Sequence, residues 1–301
     1  MMPASHALGA EFTRASRRAA DFVSLMKPRI LMMVLLTVLA GFFLGARGAP
    51  DYVALLQTLA GTALAAGGTL ALNQFLERDL DVRMARTVIR PLPSGRLQPA
   101  EVVLFGVLLV IAGLLYLALS VNAVSSLVAA VTAGSYLFLY TPMKRKTAWC
   151  IVVGAIPGAL PPIIGWAAAA RTLGIEAWVL FTILYVWQLP HTLAIAIQYR
   201  DDFARAGIRL LPAIDPDDTF VKCQIVCGCL GLVAVSLLPT VIGVAGSLYA
   251  LGAAAFGIGM LGCGIALTRR RSAVDARRLV LASLVHLPAL LLLLVMDRVP
   301  L

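Results

Sequence analysis

Charge is scarce in this chain. Only 13% of its 301 residues are Asp, Glu, Lys or Arg, while 60% are hydrophobic. A sequence so poor in charge cannot coat an ordinary water-soluble domain, and the composition points to a polytopic helical membrane protein. Histidine occurs three times and cysteine five times, with no Cys-x-x-Cys pair. That spacing excludes the common zinc frameworks and dithiol redox motifs. Cys223, Cys227 and Cys229 share one apolar segment and read as small fillers. A signal-peptide cleavage pattern is also missing. Residues 1–26 read as a basic amphiphilic arm with Arg14, Arg17 and Arg18, and the first apolar run starts only after Lys27-Pro28-Arg29. Acids are scarcer than bases, and the formal net charge is +10. The basic residues fall in short clusters between apolar segments, the pattern of positive-inside loops, so the expected surroundings are membrane lipids and not nucleic acid.

The apolar segments divide into nine expected spans, at about 30–46, 52–74, 100–119, 123–141, 148–169, 177–198, 220–239, 246–267 and 279–296. The expected fold class is therefore all-α: a helical bundle of two four-helix halves plus one further helix. Small residues at helix-packing spacing recur, among them Gly61 with Ala65 and Gly154 with Gly158. With the N-terminus cytoplasmic, 22 of the 25 basic residues fall on that side, leaving only Arg47, Arg171 and Arg298 opposite. The bias fixes the orientation expected for the loops that follow.

The polar residues that do occur are concentrated. Between Asn73 and Gly95 the chain reads NQFLERDLDVRMARTVIRPLPSG, with Asn73, Glu77 and Asp81 every fourth residue. Four residues turn a helix by about 400°, so three polar heads share one stripe with a drift of about 40° per step. A carboxylate inside a span costs roughly 2.5–3.5 kcal/mol on the mildest scale, so the stripe needs a purpose. Two carboxylates and an amide are hard oxygen donors, a set that suits Mg²⁺ and a substrate phosphate. Asp79 points off the stripe and takes a lesser role.

A second acidic stretch follows the sixth span, four spans later. There His191, Gln198 and Asp202 lie at intervals of seven and four on one helical face, with Asp201 adjacent. Two acidic helix ends facing a cavity would repel unless metal ions lay between them. The imidazole of His191 is expected to face that cavity. The short loop Tyr140-Thr141-Pro142-Met143-Lys144-Arg145-Lys146 is cationic, and with Lys27, Arg29, Arg86 and Arg90 it offers a clamp for a polyanion. Asp217 and Asp218 read as a helix N-cap, His6 falls in the arm, and His286 reads as a hydrogen-bonded core residue. From the residues alone, the acids and bases fit either a metal–diphosphate site or a solvated loop beside topology-setting charges. A multispan transporter also stays open, although both acidic stretches fall at one end of the spans and not at mid-span.

The Asn73-x-x-x-Glu77-x-x-x-Asp81 pattern resembles the first acidic motif of the UbiA-type intramembrane prenyltransferases. Longer strings are similar to the haem-modifying branch: KPR at 27–29, NQFLERDLDVRMART at 73–87, RPLPSGRL at 90–97, YTPMKRKT at 140–147, GALPPIIGW at 158–166, WQLPH at 187–191 and YRDDFARAG at 199–207. They occur in order and cover nearly the whole chain, making residues 27–301 one prenyltransferase domain behind the 1–26 arm. Departures are Gln198, where an acid is usual, Cys150 in place of Asn and Ala155 in place of Gly.

The resemblance implies transfer of a farnesyl group from farnesyl diphosphate to a vinyl group of haem B. It implies Mg²⁺ held by Glu77, Asp81 and Asp202, with Asn73 and Asp201 completing the catalytic set. Arg29, Arg86, Arg90, Lys144, Arg145, Tyr140, His191 and Gln198 would then bind substrates. The basic bias puts the active site on the cytoplasmic face, and a short leader without a long Ser-rich transit segment points to a bacterial inner membrane. A haem A synthase or a terminal-oxidase assembly factor is the expected partner for the product. An aromatic or quinone-precursor acceptor is the alternative within the family.

Overall fold

The computed structural model describes residues 16–46, 48–208, 211, 219–270 and 272–299. His6, Arg14, Asp217 and Asp218 lie outside the described residues. Among those described, nine helices are long and apolar enough to cross a bilayer. They are α1 (Pro28–Gly45), α2 (Tyr52–Asp81), α3 (Pro99–Ser120), α4 (Ala123–Met143), α5 (Cys150–Ala170), α6 (Ile175–Gln198), α7 (Thr219–Val241), α8 (Ser247–Arg270) and α9 (Ala273–Met296). The only β pairing among the described residues is a single bridge between Ala245 and Arg298.

Local signals set the helix ends. Pro28 and Pro99 occupy first-turn positions where no amide donor is needed. Asp51, Asn122 and Ser272 cap α2, α4 and α9 by accepting from backbone amides. The Ser272 cap starts α9 six residues before the apolar run at 279, because the first turn is polar and hydropathy does not register it. Likewise α2 runs unbroken to Asp81 and not to 74, since its polar stripe is buried and partnered within the bundle. Two spans are irregular. In α4 the turn Ser135–Tyr140 is π-helical, and α5 breaks at Leu160, just before the Pro161-Pro162 pair.

Packing is close where glycines face each other. A Cβ on Gly41 of α1 would meet the Pro162 carbonyl oxygen at 1.9 Å, and one on Gly165 of α5 would meet that of Val38 at 1.9 Å. On α2, Gly61 and Ala65 receive Leu117 and Gly113 of α3, so that pair does mark a helix crossing. The helix α9 packs on α6, α8 and α1, which closes the bundle. At the end away from Asp81, Arg298 donates to the carbonyl oxygens of Phe43, Ala46 and Gly48. The outer surface carries apolar stripes. On α3, Leu104, Leu108, Ile111, Leu115 and Leu119 are all exposed along one face, an arrangement suited to lipid and not to water.

Candidate active site

The polar column of α2 is the best-buried polar cluster of the first half. Asn73 and Asp81 are fully buried and Glu77 is 7% exposed. Buried charges need partners, and each head receives one from a different segment. Lys27, just before α1, donates from Nζ to Asn73 Oδ1 at 2.9 Å. Lys144, after α4, donates to Glu77 Oε1 at 2.6 Å. Arg90, in the α2–α3 loop, donates to Asp81 Oδ2 at 2.6 Å. Three separate loops therefore converge on one helix end.

Local structure places each cation. Lys27 sits in the left-handed region with φ 48°, a conformation that costs roughly 1–3 kcal/mol in a non-glycine residue and persists where the surroundings enforce it. Burial, followed by the charge of Arg90, pushes its ammonium down to about 7, with Glu77 pulling the other way. Burial is also the largest influence on Lys144 and acts to lower it, but the Glu77 charge, Tyr140, Tyr136 and the hydrogen bond to Glu77 together outweigh it and hold that ammonium above its ordinary range. Arg90 is returned over Asp81 because Thr87 folds the loop back, donating from Oγ1 to the Asp81 carbonyl oxygen at 2.8 Å. Asn73 Nδ2 donates to Thr141 Oγ1 at 3.2 Å, and that hydroxyl donates to the Tyr136 carbonyl oxygen at 2.8 Å. This last bond ties the column to the π-helical turn, a feature common at functional sites. The Tyr140 ring lies 4.5 Å from the Lys144 ammonium.

The second stretch approaches through Arg86. Its guanidinium lies 5.0 Å from the ring centres of both Tyr199 and Phe203, and it sits in the fields of both Asp202 and Asp81. Asp202 is buried and paired with Arg205, whereas Asp201 is exposed. Gln198 ends α6 half-buried. Arg29 and Arg145 are exposed near the site, and Asp79 is exposed beside Arg78 at 3.8 Å. Among the described residues, no group of three His, Cys, Asp or Glu side chains is gathered tightly enough for one ion. Instead each of Glu77, Asp81 and Asp202 holds a cationic side chain. One oxygen is left over: Asp81 Oδ1 is buried with no hydrogen-bond partner. An orphaned carboxylate oxygen one turn from a second carboxylate is a donor set that fits a hard divalent cation.

His191 departs from expectation. Its Nδ1 meets Ser283 Oγ of α9 at 2.6 Å and its ring stacks on Trp187 at 4.7 Å, so α9 holds the imidazole and it does not line the main cavity. Gln188 and Thr192 of the same helix line it instead. His286 is buried as expected but neither ring nitrogen has a hydrogen-bond partner; its ring packs edge-on against Phe256. Cys229 is a buried filler, while Cys223 and Cys227 are exposed. The departures Cys150 and Ala155 are both buried in α5, and the Ala155 carbonyl oxygen accepts from Gln188 at 3.2 Å.

Beneath the column lies a cavity of about 250 Å³ between α1, α2, α4, α5 and α6. Thr62, Ala66 and Thr69 of α2 line it, at spacings that continue the stripe of Asn73, Glu77 and Asp81. Tyr136 and Tyr140 line it too, so the ring that carries Lys144 also forms the cavity mouth. Tyr136, Thr141, Gln188 and Thr192 were not singled out by the sequence; the one available signal was a Tyr four residues before Tyr140.

Comparisons with known proteins agree with this architecture. Residues 34–287 match the model of the UbiA prenyltransferase family. A protoheme IX farnesyltransferase of Solibacter usitatus (strain Ellin6076) is 47% identical over 287 residues, covering 92% of this chain and 98% of the relative. The one from Myxococcus xanthus (strain DK1622) is 38% identical, covering 94% and 96%. Among solved structures, that of a digeranylgeranylglyceryl phosphate synthase has a TM-score of 0.78 at 16% identity, covering 93% of this chain and 98% of that one. A UbiA homolog from Archaeoglobus fulgidus bound to DMAPP and Mg²⁺ has a TM-score of 0.68 at 15% identity, covering 92% and 99%. The matches span the helices that build the column and the cavity, and the chain belongs to the UbiA prenyltransferase family, an integral membrane prenyltransferase similar over nearly its whole length to the protoheme IX farnesyltransferases.

Proposed function

We propose that the chain transfers the farnesyl group of farnesyl diphosphate to a vinyl group of haem B, giving haem O and diphosphate. The observation that carries this is the continuity of one helical stripe, from a buried amide and two carboxylates held by three cations into an apolar cavity. Such a stripe offers a charged seat for a diphosphate and, directly beneath, a dry seat for an isoprenoid tail. The names of the most similar relatives support the same acceptor.

Glu77 and Asp81, with Asp202 and Asp201 on the facing side, would hold Mg²⁺, which when bound supplies positive charge against the diphosphate oxygens. Arg90, Lys144 and Arg86 bind and neutralise the leaving diphosphate, with Arg29 and Arg145 at the rim. Asn73, fixed between Lys27 and Thr141, orients a phosphate oxygen. When the carbon–oxygen bond breaks, the electron pair leaves on diphosphate and an allylic cation remains. The vinyl carbon attacks that cation, water adds to the carbon next to the ring, and a proton is released, giving the hydroxyethylfarnesyl group. Tyr136 and Tyr140 line the mouth where the cation forms, and the apolar walls exclude water from it. Gln198, at the end of α6, is assigned to substrate binding, whereas His191, held by Ser283 of α9, takes no direct part.

The same reading makes 27–301 one domain and 1–26 a cytoplasmic arm. It sets the active site on the cytoplasmic face of a bacterial inner membrane, where 22 of 25 basic residues would lie, with a haem A synthase or oxidase assembly factor receiving the product. Asp81→Asn tests it. Product formation from labelled farnesyl diphosphate and haem B should fall roughly 100-fold or more, the scale for removing one preorganised charge, while immunoblots show normal membrane insertion. Wild-type turnover in that variant ends the reading.

A further inference from the structure

A second hollow lies on the same membrane face, beside the donor site and on the other side of the start of α5. It is a groove of about 730 Å³ between the start of α5 and the start of α7, within the ~300–1,000 Å³ typical of ligand pockets. Trp149 and Phe220 line it and are 67% and 70% exposed. Large aromatics at a helix entry belong to the membrane interface in any such protein, so exposure alone assigns nothing. Three further observations do.

First, Ile151 lines both this groove and the main cavity. One side chain, itself 5% exposed, is therefore common to the wall of each. Second, the polar side chains of the groove are Lys146, Thr147 and Gln224, and among the described residues no acid lines it. Lys146 offers a carboxylate-bearing ligand a cation at the rim. Third, Lys146 lies two residues beyond Lys144, whose ammonium holds Glu77. The groove thus opens beside the loop that carries Lys144, at the charged end of the donor site.

We propose that this groove seats the porphyrin acceptor, with Trp149 and Phe220 against the flat macrocycle, Lys146 taking a propionate, and the reacting edge directed at Ile151. The proposal rests on the haem acceptor argued above and adds where that acceptor binds. A flat aromatic ring system with carboxylates at one edge matches an aromatic groove with a cation at its rim. A lipid chain, the other candidate for an interfacial groove, has no use for the wall shared with the catalytic cavity.

The test is a Soret titration of haem B onto the purified full-length protein in detergent, alongside steady-state kinetics. Trp149→Ala should weaken haem binding about threefold to tenfold, the range for one aromatic contact. Lys146→Glu should weaken it at least about fivefold, yet leave binding of the porphyrin dimethyl ester, which has no carboxylates, unchanged. Ile151→Phe should raise KM for haem. In Trp149→Ala and Lys146→Glu, KM for farnesyl diphosphate should not move. Haem affinity equal to wild type in both variants assigns the groove to lipid and overturns the proposal while leaving the acceptor reading intact. Failure of the unaltered protein to bind haem overturns both.

Discussion

The site depends on pairing buried carboxylates with cations that arrive from far away in sequence. Arg90 is the most informative member. It is a quarter exposed and donates to a fully buried Asp81, so removing it has two effects. The stability effect is a stranded charge at about 3–5 kcal/mol. The functional effect is loss of a charge-assisted contact to diphosphate of about 1.5–3 kcal/mol, or roughly 10–100-fold. Arg90→Ala should therefore raise KM for farnesyl diphosphate by that factor and leave KM for haem unchanged, as steady-state kinetics would show. Arg90→Lys keeps the charge but not the fork, and should fall between the two. An unchanged KM for the diphosphate removes Arg90 from the clamp. The spacing of Asn73, Glu77 and Asp81 was legible in the sequence because helix period alone places them on one stripe. Their partners were legible as a cluster but not as pairs. Lys144 reaches Glu77 across 67 residues, and which cation meets which polar head is decided by loop geometry, here Thr87 folding back and Lys27 adopting a left-handed backbone. The orphaned Asp81 oxygen likewise has no signature in sequence.

Hydropathy suffices to locate the nine spans, because a lipid-facing helix must be apolar along its whole crossing. It does not locate the start of α9, where Ser272 caps a polar turn, or the end of α2, where the polar residues are buried. Nor does it show that α1 and the second part of α5 touch backbone to backbone. That contact turns on glycine, and it makes a sharp comparison. A Cβ at Gly165 would lie 1.9 Å from the Val38 carbonyl oxygen, whereas one at Gly134 meets nothing within 4 Å. Gly165→Ala should lower stability by at least about 1–3 kcal/mol, the usual range for overpacking, since backbone cannot turn aside as a flexible side chain can. Gly134→Ala should not destabilise, and a helix-favouring residue there even adds slightly. Thermal unfolding in detergent reads both. Equal melting temperatures for Gly165→Ala and wild type would mean that α1 and α5 separate freely, which the bundle as described does not permit.

At the scale of the molecule, one helix face is shared between two environments. The stripe of α2 is carboxylate and amide at the membrane face and threonine and alanine deeper in, so the same element is charged at one end and lines the cavity beyond it. Solved structures at 15–16% identity share the fold of the bundle. On the proposed reading, the cavity sets the length of tail that the site takes. Ala129 of α4 lines it and is 4% exposed. It lies eleven residues before Tyr140, about 16 Å deeper at 1.5 Å per residue. A bulky side chain there closes the inner cavity and spares the mouth. Ala129→Phe should therefore cut kcat/KM for farnesyl diphosphate by about tenfold or more, the scale on which hydrophobic pockets discriminate by size. The shorter geranyl diphosphate should be used as well as by the wild type. The ratio of the two rates is the readout, because a folding defect would lower both together. If farnesyl and geranyl donors fell equally with the protein intact, the tail would lie elsewhere, and the continuity between charged column and dry cavity would lose its functional meaning.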